Sequence, residues 1–318
     1  MQVSDVFFRH GSLHGPLRRF TMKKFREFRQ QLDFVGCFAN GIETGLCWKY
    51  CEGGGYLVGR VHAQTGQFTG PEIAFLYPDL CTAFLGQFED GKMISGKATT
   101  VIGTNLDSQT QILSPIFAEP SAASPCVSFC KSTKTSLGDN LLVPDPYEAR
   151  MIEIRDSEVP DSGQGVFARQ DLAKGTIVAF YNGVRLQYKL GGPKEEWASS
   201  GYKIYINADY ISGERMDIPE EYVSLDHYKA SLGHKLNHSF RANCEEWFFE
   251  HPRFGLIPCE RTTRDVLAGE ELFLDYEYDP YNCPPWFQEQ LIAFKASMTE
   301  EEERTLLEKY ARFNPDYI

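Results

Sequence analysis

Glycines recur through the first third of the chain at offsets that few folds can accommodate. Three stretches align: "FVGCFANGIETG" (34–45), "YLVGRVHAQTGQFTG" (56–70) and "AFLGQFEDGKMISG" (83–96). Each reads aromatic or apolar, any residue, glycine, any residue, apolar, then a turn and a closing glycine. The closing glycines Gly45, Gly70 and Gly96 stand 25 and 26 residues apart. A degenerate earlier copy is "FFRHGSLHGPLRRF" (7–20). Glycine at fixed offsets predicts the positive φ of tight hairpin turns. The residues between alternate apolar and polar, as half-exposed strands do. A unit this short cannot bury a face alone, so neighbouring units must stack. The expectation is one twisted sheet of consecutive β-hairpins. The basic insert "RRFTMKKFREFRQQ" (18–31) reads as a helix or an extended strand connection.

Residues 102–140 are rich in Ser, Thr, Pro and Asn and read as short strands and loops joining two domains. From "VPDPYEARMIEI" (143–154) a new pattern of strand-like segments and turns begins. Strands are expected at 245–250, 254–262 and 271–276, and turns at "LAKG" (172–175) and "VLAGEE" (266–271). A helix is expected at 219–232, and a helical tail from Pro284 to Phe313. Thr299 followed by Glu302 is a capping-box signature inside that tail. The fold class is therefore mainly β, ending in helices. The expected division is 1–101 hairpin repeats, 102–149 connecting strands and linker, 150–280 second domain, and 281–318 helical segment.

Charge narrows the partner. Up to Pro144 there are 12 acids against 13 bases, and from Asp145 onward 32 against 19. An acidic second half disfavours nucleic-acid phosphate and suits a lysine- or arginine-rich peptide. No apolar run approaches the ~20 residues of a membrane span. The start lacks a signal-peptide pattern, so an intracellular chain with reduced thiols is expected. The nine cysteines include no Cys-x-x-Cys, and no metal site is expected.

Three separated segments carry chemistry: "DSGQGVF" (161–167), "GHKLNHSF" (233–240) and "ELFLDYEYDP" (271–280). Singly each has an ordinary structural explanation. The Gly-x-Gly alone is weak, His238 suits a core, and Tyr276 and Tyr278 suit one face of a strand at i and i+2. In this order, Gly163-Gln164-Gly165, Asn237-His238-Ser239 and Tyr276 resemble the motifs of SET-domain lysine methyltransferases. The resemblance spans about residues 150–290 and implies a β-rich, pseudo-knotted domain. It also implies S-adenosylmethionine as cofactor and a lysine side chain as acceptor. Tyr276 would be the catalytic tyrosine, with Tyr181 and Tyr278 lining the lysine channel. Ser162, Gly163, Gln164, His234, Asn237 and His238 would hold the cofactor. Trp286 would stack on its adenine, with Gln290 beside it.

The glycine units resemble MORN repeats. Together with "LLVPDPYE", "FYNGVR", "SLGHKLNHSF" and "HPRFG" they resemble the MORN-containing branch that monomethylates lysine 4 of histone H3. The implied partner is a histone H3 tail and other lysine-containing proteins. The implied location is the nucleus and chromosome, with cytoplasm also open, and the expected state is a monomer. The alternative is a catalytically weak SET scaffold or peptide-binding protein. Glu246, beside Trp247 in the expected substrate channel, stands where the branch has a tyrosine. Pro258 stands where it has a lysine. Only Cys283 follows the last motif, so the helical tail is expected to close the site in place of a zinc cluster.

Overall fold

The computed structural model describes residues 2–5, 8–25, 27–62, 65–108, 110–187, 202–205 and 214–311. The first half holds β1 (Gln2–Asp5), β2 (Phe8–Arg9), β3 (Ser12–Leu13), β4 (Gly15–Phe25), β5 (Glu27–Ala39) and β6 (Ile42–Tyr50). It continues with β7 (Tyr56–Gly59), β8 (Gly70–Leu76), β9 (Thr82–Glu89), β10 (Lys92–Leu106), β11 (Leu113–Phe117) and β12 (Cys126–Val127). The sheet order is β1-β4-β5-β6-β7-β8-β9-β10-β11, with β12 beside β10 and the hairpin β2-β3 separate. All these pairings are antiparallel. The consecutive-hairpin expectation holds. The basic insert, apart from residue 26, which lies outside the described residues, is strand in β4 and β5. The boundary expected at 101/102 falls inside β10.

The glycines work differently from the expectation. The tight turns are Asn40-Gly41 and Asp90-Gly91, with both residues at positive φ (53° and 81°, 49° and 77°). This is the backbone that asparagine, aspartate and glycine adopt in two-residue hairpins. Gly45 and Gly70 have positive φ but sit within or at the start of strands, and Gly96 lies inside β10. The first glycine of each unit instead lets neighbours approach. A Cβ on Gly36 would stand 2.6 Å from the Phe34 ring, on Gly59 2.8 Å from Ile73, and on Gly86 2.0 Å from the Ser95 carbonyl oxygen. Gly86→Ala must move backbone rather than a flexible side chain. It should cost about 2–3 kcal/mol, measurable by urea unfolding, whereas Gly45→Ala meets nothing within 4 Å and is opposed only by its φ.

The second half begins with α1 (Glu148–Met151) and β13 (Ile152–Asp156), β14 (Gln164–Ala168), β15 (Ile177–Phe180), β16 (Val184–Gln187), β17 (Ile204–Tyr205) and β18 (Glu214–Asp217). Then come β19 (Asn237–His238), β20 (Cys244–His251), β21 (Gly255–Thr262), β22 (Glu271–Leu274), α2 (Pro285–Ser297) and α3 (Glu300–Tyr310). The larger sheet runs β13-β14-β22-β20-β21-β15, with β19 on β22, and β16-β18-β17 form a smaller sheet. β22 pairs in parallel with both β19 and β20. Parallel pairing of nearby short strands demands a crossing connection, as the knotted expectation requires.

Three expectations are corrected. Residues 219–232 form only one 3₁₀ turn, Glu220–Tyr222. Ser224 Oγ accepts the Asp226 N–H at 3.2 Å and His227 Nδ1 bonds the Glu221 carbonyl at 2.7 Å, local bonds that compete with a helix. β22 ends at Leu274, so Tyr276 and Tyr278 lie beyond it, with Glu277 between them at φ 52°. The tail is two helices broken at Met298-Thr299, and residues 312–313 lie outside the described residues. Thr299 Oγ1 and Glu302 form the expected capping box.

The two halves share one core. The Tyr77 ring stacks on Tyr147 at 5.2 Å and on Phe249 at 6.0 Å, and the Glu250 N–H donates to the Glu52 carbonyl at 2.9 Å. Asp145, fully buried, sits at the centre. It accepts from the Tyr77 hydroxyl at 2.5 Å, from His251 Nε2 at 3.0 Å and from the backbone N–H of Tyr147 at 2.9 Å. His251 Nδ1 accepts from the Arg253 N–H at 3.1 Å, which fixes the proton on Nε2. Burial pushes the His251 pKa down, so the ring is a neutral donor.

Candidate active site

The Gly-x-Gly segment leads into β14, and its shape is set from below by Glu271. This carboxylate, 4% exposed, opens β22. Its Oε1 accepts from Ser157 Oγ at 2.7 Å and Asn237 Nδ2 at 3.2 Å, and its Oε2 from the Glu158 N–H at 2.8 Å. A Cβ on Gly165 would stand 2.1 Å from Oε1. That position therefore has to be glycine. Gly163, at φ 67°, has nothing within 4 Å of where a Cβ would stand, so its backbone faces open space. Ser162 N–H closes the preceding turn onto the Val159 carbonyl at 3.2 Å.

Asn237 ties the second motif to the first by donating to the Gln164 carbonyl at 3.0 Å, while Lys235 Nζ donates to Gln164 Oε1 at 3.0 Å. His238 pairs in register with Leu274. Its Nδ1 accepts the Tyr276 N–H at 3.1 Å, and its buried Nε2 has no partner. Burial lowers its pKa to about 4, with Lys309 assisting and Asp275 opposing, so it is neutral at pH 7. His234 lies in the 3₁₀ turn Gly233–Lys235, 5.7 Å from Tyr228 and 6.3 Å from Tyr202 between ring centres. Its ring is buried, and burial with Lys235 lowers its pKa to about 3, the backbone at Val223 and Ser231 opposing.

An aromatic enclosure forms around His238. Tyr276 lies 5.4 Å away and Trp286 5.9 Å, while Tyr276 and Tyr278 meet edge-on at 5.9 Å. Trp286 is 40% exposed, and Gln290 follows one turn later on the same face of α2. The Tyr276 hydroxyl donates to the Leu236 carbonyl at 2.7 Å, and the Tyr181 hydroxyl donates to the Tyr202 carbonyl. Burial raises both phenol pKa values, and the Glu260 carboxyl raises them further. The tail closes this side. Leu291, Phe294, Leu306 and Tyr310 pack with Phe240, and Arg241 Nε bonds Glu302 at 2.7 Å.

Strand alternation separates the two residues expected in the substrate channel. Glu246 stands opposite Glu260 across β20 and β21. Trp247 points to the other face, under the Arg261 guanidinium at 3.5 Å, so it is not brought to the channel by its strand. Of the other expected residues, His238, Tyr276, Tyr278 and Trp286 meet ring to ring, Asn237 meets Gln164, and Tyr181 and His234 both meet Tyr202. Glu271, Glu260, Tyr202 and Asn243 were not anticipated. Asn243 bridges the Glu271 carbonyl and the Phe273 N–H, each at 2.8 Å. The signal available for Glu271 was an acid opening the apolar strand "ELFL".

The site is a small cradle of exposed backbone beside a neutral imidazole, next to a lane of buried phenols. It can hold a polar ligand against the Gly163 loop and aim a second group past Tyr276. It has no activated nucleophile of its own, because burial raises the Cys244 and Cys259 thiol pKa values.

Comparison with known proteins bears on both halves. A family model described as the SET domain matches residues 163–277. Another, described as the N-terminal region of the histone H3 K4-specific methyltransferase SET7, matches residues 38–110. The histone-lysine N-methyltransferase SETD7 of Halocynthia roretzi is 38% identical over 271 residues, covering 83% of this chain and 68% of that protein. The histone-lysine N-methyltransferase EZ1 of Zea mays is 31% identical over 194 residues, covering 54% of this chain but 19% of its own length. A solved structure of ctPRC2, autoinhibited and bound to S-adenosylmethionine, aligns over 46% of this chain and 17% of that one. Its identity is 21% and its TM-score 0.31, too slight a likeness to carry an argument.

Proposed function

The chain belongs to the SET-domain histone-lysine methyltransferases of the SETD7 type, and from that premise we propose that it methylates lysine 4 of the histone H3 tail. Its activity is transfer of a methyl group from S-adenosylmethionine to a lysine amine. The reading adds that Tyr276, Tyr181 and Tyr278 serve the transfer, and that Ser162, Gly163, Gln164, His234, Asn237, His238, Trp286 and Gln290 hold the cofactor. The first glycine-rich half is read as MORN-type. The enzyme is read as a monomer working on chromatin, with cytoplasmic proteins as further substrates.

The residues fit the cofactor on three observations. The backbone at Gly163 faces open space, the buried His238 Nε2 lacks a partner, and the half-exposed Trp286 ring stands 5.9 Å from the His238 ring. When bound, S-adenosylmethionine supplies a methyl activated on a sulfonium. The protein must then deliver a neutral amine. Lysine's ordinary pKa of ~10.4 leaves little of it at pH 7. Burial among the phenols of Tyr181 and Tyr276 lowers that value by desolvation. Their hydroxyl protons are committed to the Tyr202 and Leu236 carbonyls, which leaves oxygen lone pairs free to accept amine N–H bonds and aim the nitrogen. No covalent intermediate on the protein is needed, so positioning carries most of the rate.

The observation that carries this reading is the meeting of three distant segments, Asn237 bonding the Gln164 carbonyl of the Gly163 loop and His238 bonding the Tyr276 N–H. Trp286→Ala should weaken cofactor binding about tenfold with little effect on folding, because the ring is partly exposed. Calorimetric titration measures it. The histone assignment rests on the SET7-type match and the acidic second half. Mass spectrometry of H3 tail peptides bearing lysine or arginine at position 4 tests it. A methyl on the lysine-4 peptide alone is expected. Labelling of other proteins with both peptides untouched contradicts the substrate, and no labelling anywhere contradicts the activity.

A further inference from the structure

We propose that Glu246 receives the substrate ammonium in this site and takes its proton, with Glu260 across the strand pair positioned to hold it in that role. The inference rests on the lysine-methyltransferase reading above. Glu246 and Glu260 are directly opposed in register. Side chains so paired stand about 5 Å apart at Cβ. Glu260 is 1% exposed, and its Oε2 has no hydrogen-bond partner. Among the described residues neither acid forms an ion pair, because Arg261 is turned to Glu245 on the other face at 2.6 Å. Glu260 is buried and Glu246 half-buried, and two acids opposed in this way favour the state in which one is protonated or a cation joins them. A Cβ on Gly233 would stand 2.7 Å from both Glu260 Oε2 and the Phe180 carbonyl oxygen, so the Glu260 carboxyl sits between the His234 turn and the strand that leads into Tyr181, beside the lane where the lysine amine must enter.

The remaining groups agree with this assignment. The titratable neighbours of Glu246 are Glu260 and the Cys259 thiol on β21 and Glu277 after β22, with the two phenols reached through Glu260. None is a cation. Burial, with Glu277 adding to it, pushes the Glu246 pKa up to about 7, and burial holds Glu260 protonated well above the ordinary glutamate range. Glu246 is therefore the member that changes charge near neutral pH. In the step, one N–H bond of the ammonium breaks and one O–H bond forms on Glu246. The electron pair stays on nitrogen as the nucleophile for the methyl. The carboxyl then returns its proton to solvent.

The test is the pH dependence of kcat/KM from pH 5.5 to 9 on a lysine peptide. In the native enzyme the rate should rise through a limb near pH 7 and then level off, because Glu246 accepts a proton only when ionised. Glu246→Gln should lose the limb and run about 100-fold slower at pH 7.5, its rate still climbing towards pH 9. Glu246→Asp should keep the limb, and Glu260→Gln, which exchanges an uncharged carboxyl for an uncharged amide, should leave it near pH 7. A role confined to structure moves none of these. An unchanged profile in Glu246→Gln overturns the proposal. Binding decides independently of turnover: above pH 7 the native protein should prefer a lysine peptide to its norleucine counterpart about tenfold, and Glu246→Gln should not. No such preference in the native protein also overturns it, whereas absent methyl transfer with that preference intact contradicts only the activity.

Discussion

Tyr276→Phe is expected to lower kcat/KM for methyl transfer by about 10²–10³-fold while cofactor affinity stays nearly unchanged. The hydroxyl is the only group removed, and it donates to the Leu236 carbonyl at 2.7 Å. In the proposed mechanism that bond orients the phenol oxygen whose lone pair would meet the amine. The ring itself remains, 5.4 Å from His238 and 5.9 Å from Tyr278, so the aromatic wall stays closed. The loss should therefore fall on kcat far more than on KM. Steady-state kinetics with calorimetric cofactor binding separates the two. A KM defect with kcat preserved would place the hydroxyl in binding instead.

Asp145→Ala is expected to destabilise the protein by about 3–5 kcal/mol. The carboxylate is fully buried and satisfies the Tyr77 hydroxyl from one half and the His251 ring from the other. Alanine would orphan both donors and leave a cavity at the joint of the two sheets. Burial pushes the Asp145 pKa up, yet the bonds from His251 and Tyr77 outweigh it and hold the carboxyl below its ordinary range. A depressed acid stabilises the fold above its unfolded pKa of ~3.9. That stabilisation is lost as pH falls through the folded value. Tyr77→Phe removes one donor and should cost about 1–2 kcal/mol. Urea unfolding checks both, and equal small losses would mean that the network does not join the halves.

Much of the fold and site could be read from particular residues. The spaced glycines gave the hairpin sheet because close backbone approach leaves no room for a Cβ, as at Gly86. Gly163, Asn237 and His238 were legible as motif members because backbone access and buried hydrogen bonding restrict the residue type. The helix expected at 219–232 failed because Ser224 and His227 offer local bonds that periodicity does not reveal. Trp247 stands on the face of β20 opposite to Glu246, because neighbours in a strand alternate. Glu260 was invisible as a site residue, and Glu271 showed only as an acid opening an apolar strand. Their roles depend on cross-strand register and burial, which arise only when separate segments meet, Glu260 opposite Glu246 and Glu271 against Asn237.

The most direct test of the account is transfer of labelled methyl from S-adenosylmethionine to an H3 tail peptide, compared between the native protein and Tyr276→Phe at equal cofactor occupancy. The account predicts label on the lysine in the native reaction and about a hundredth or less of that rate in the variant. Equal rates, or cofactor binding with no label in either, would contradict it.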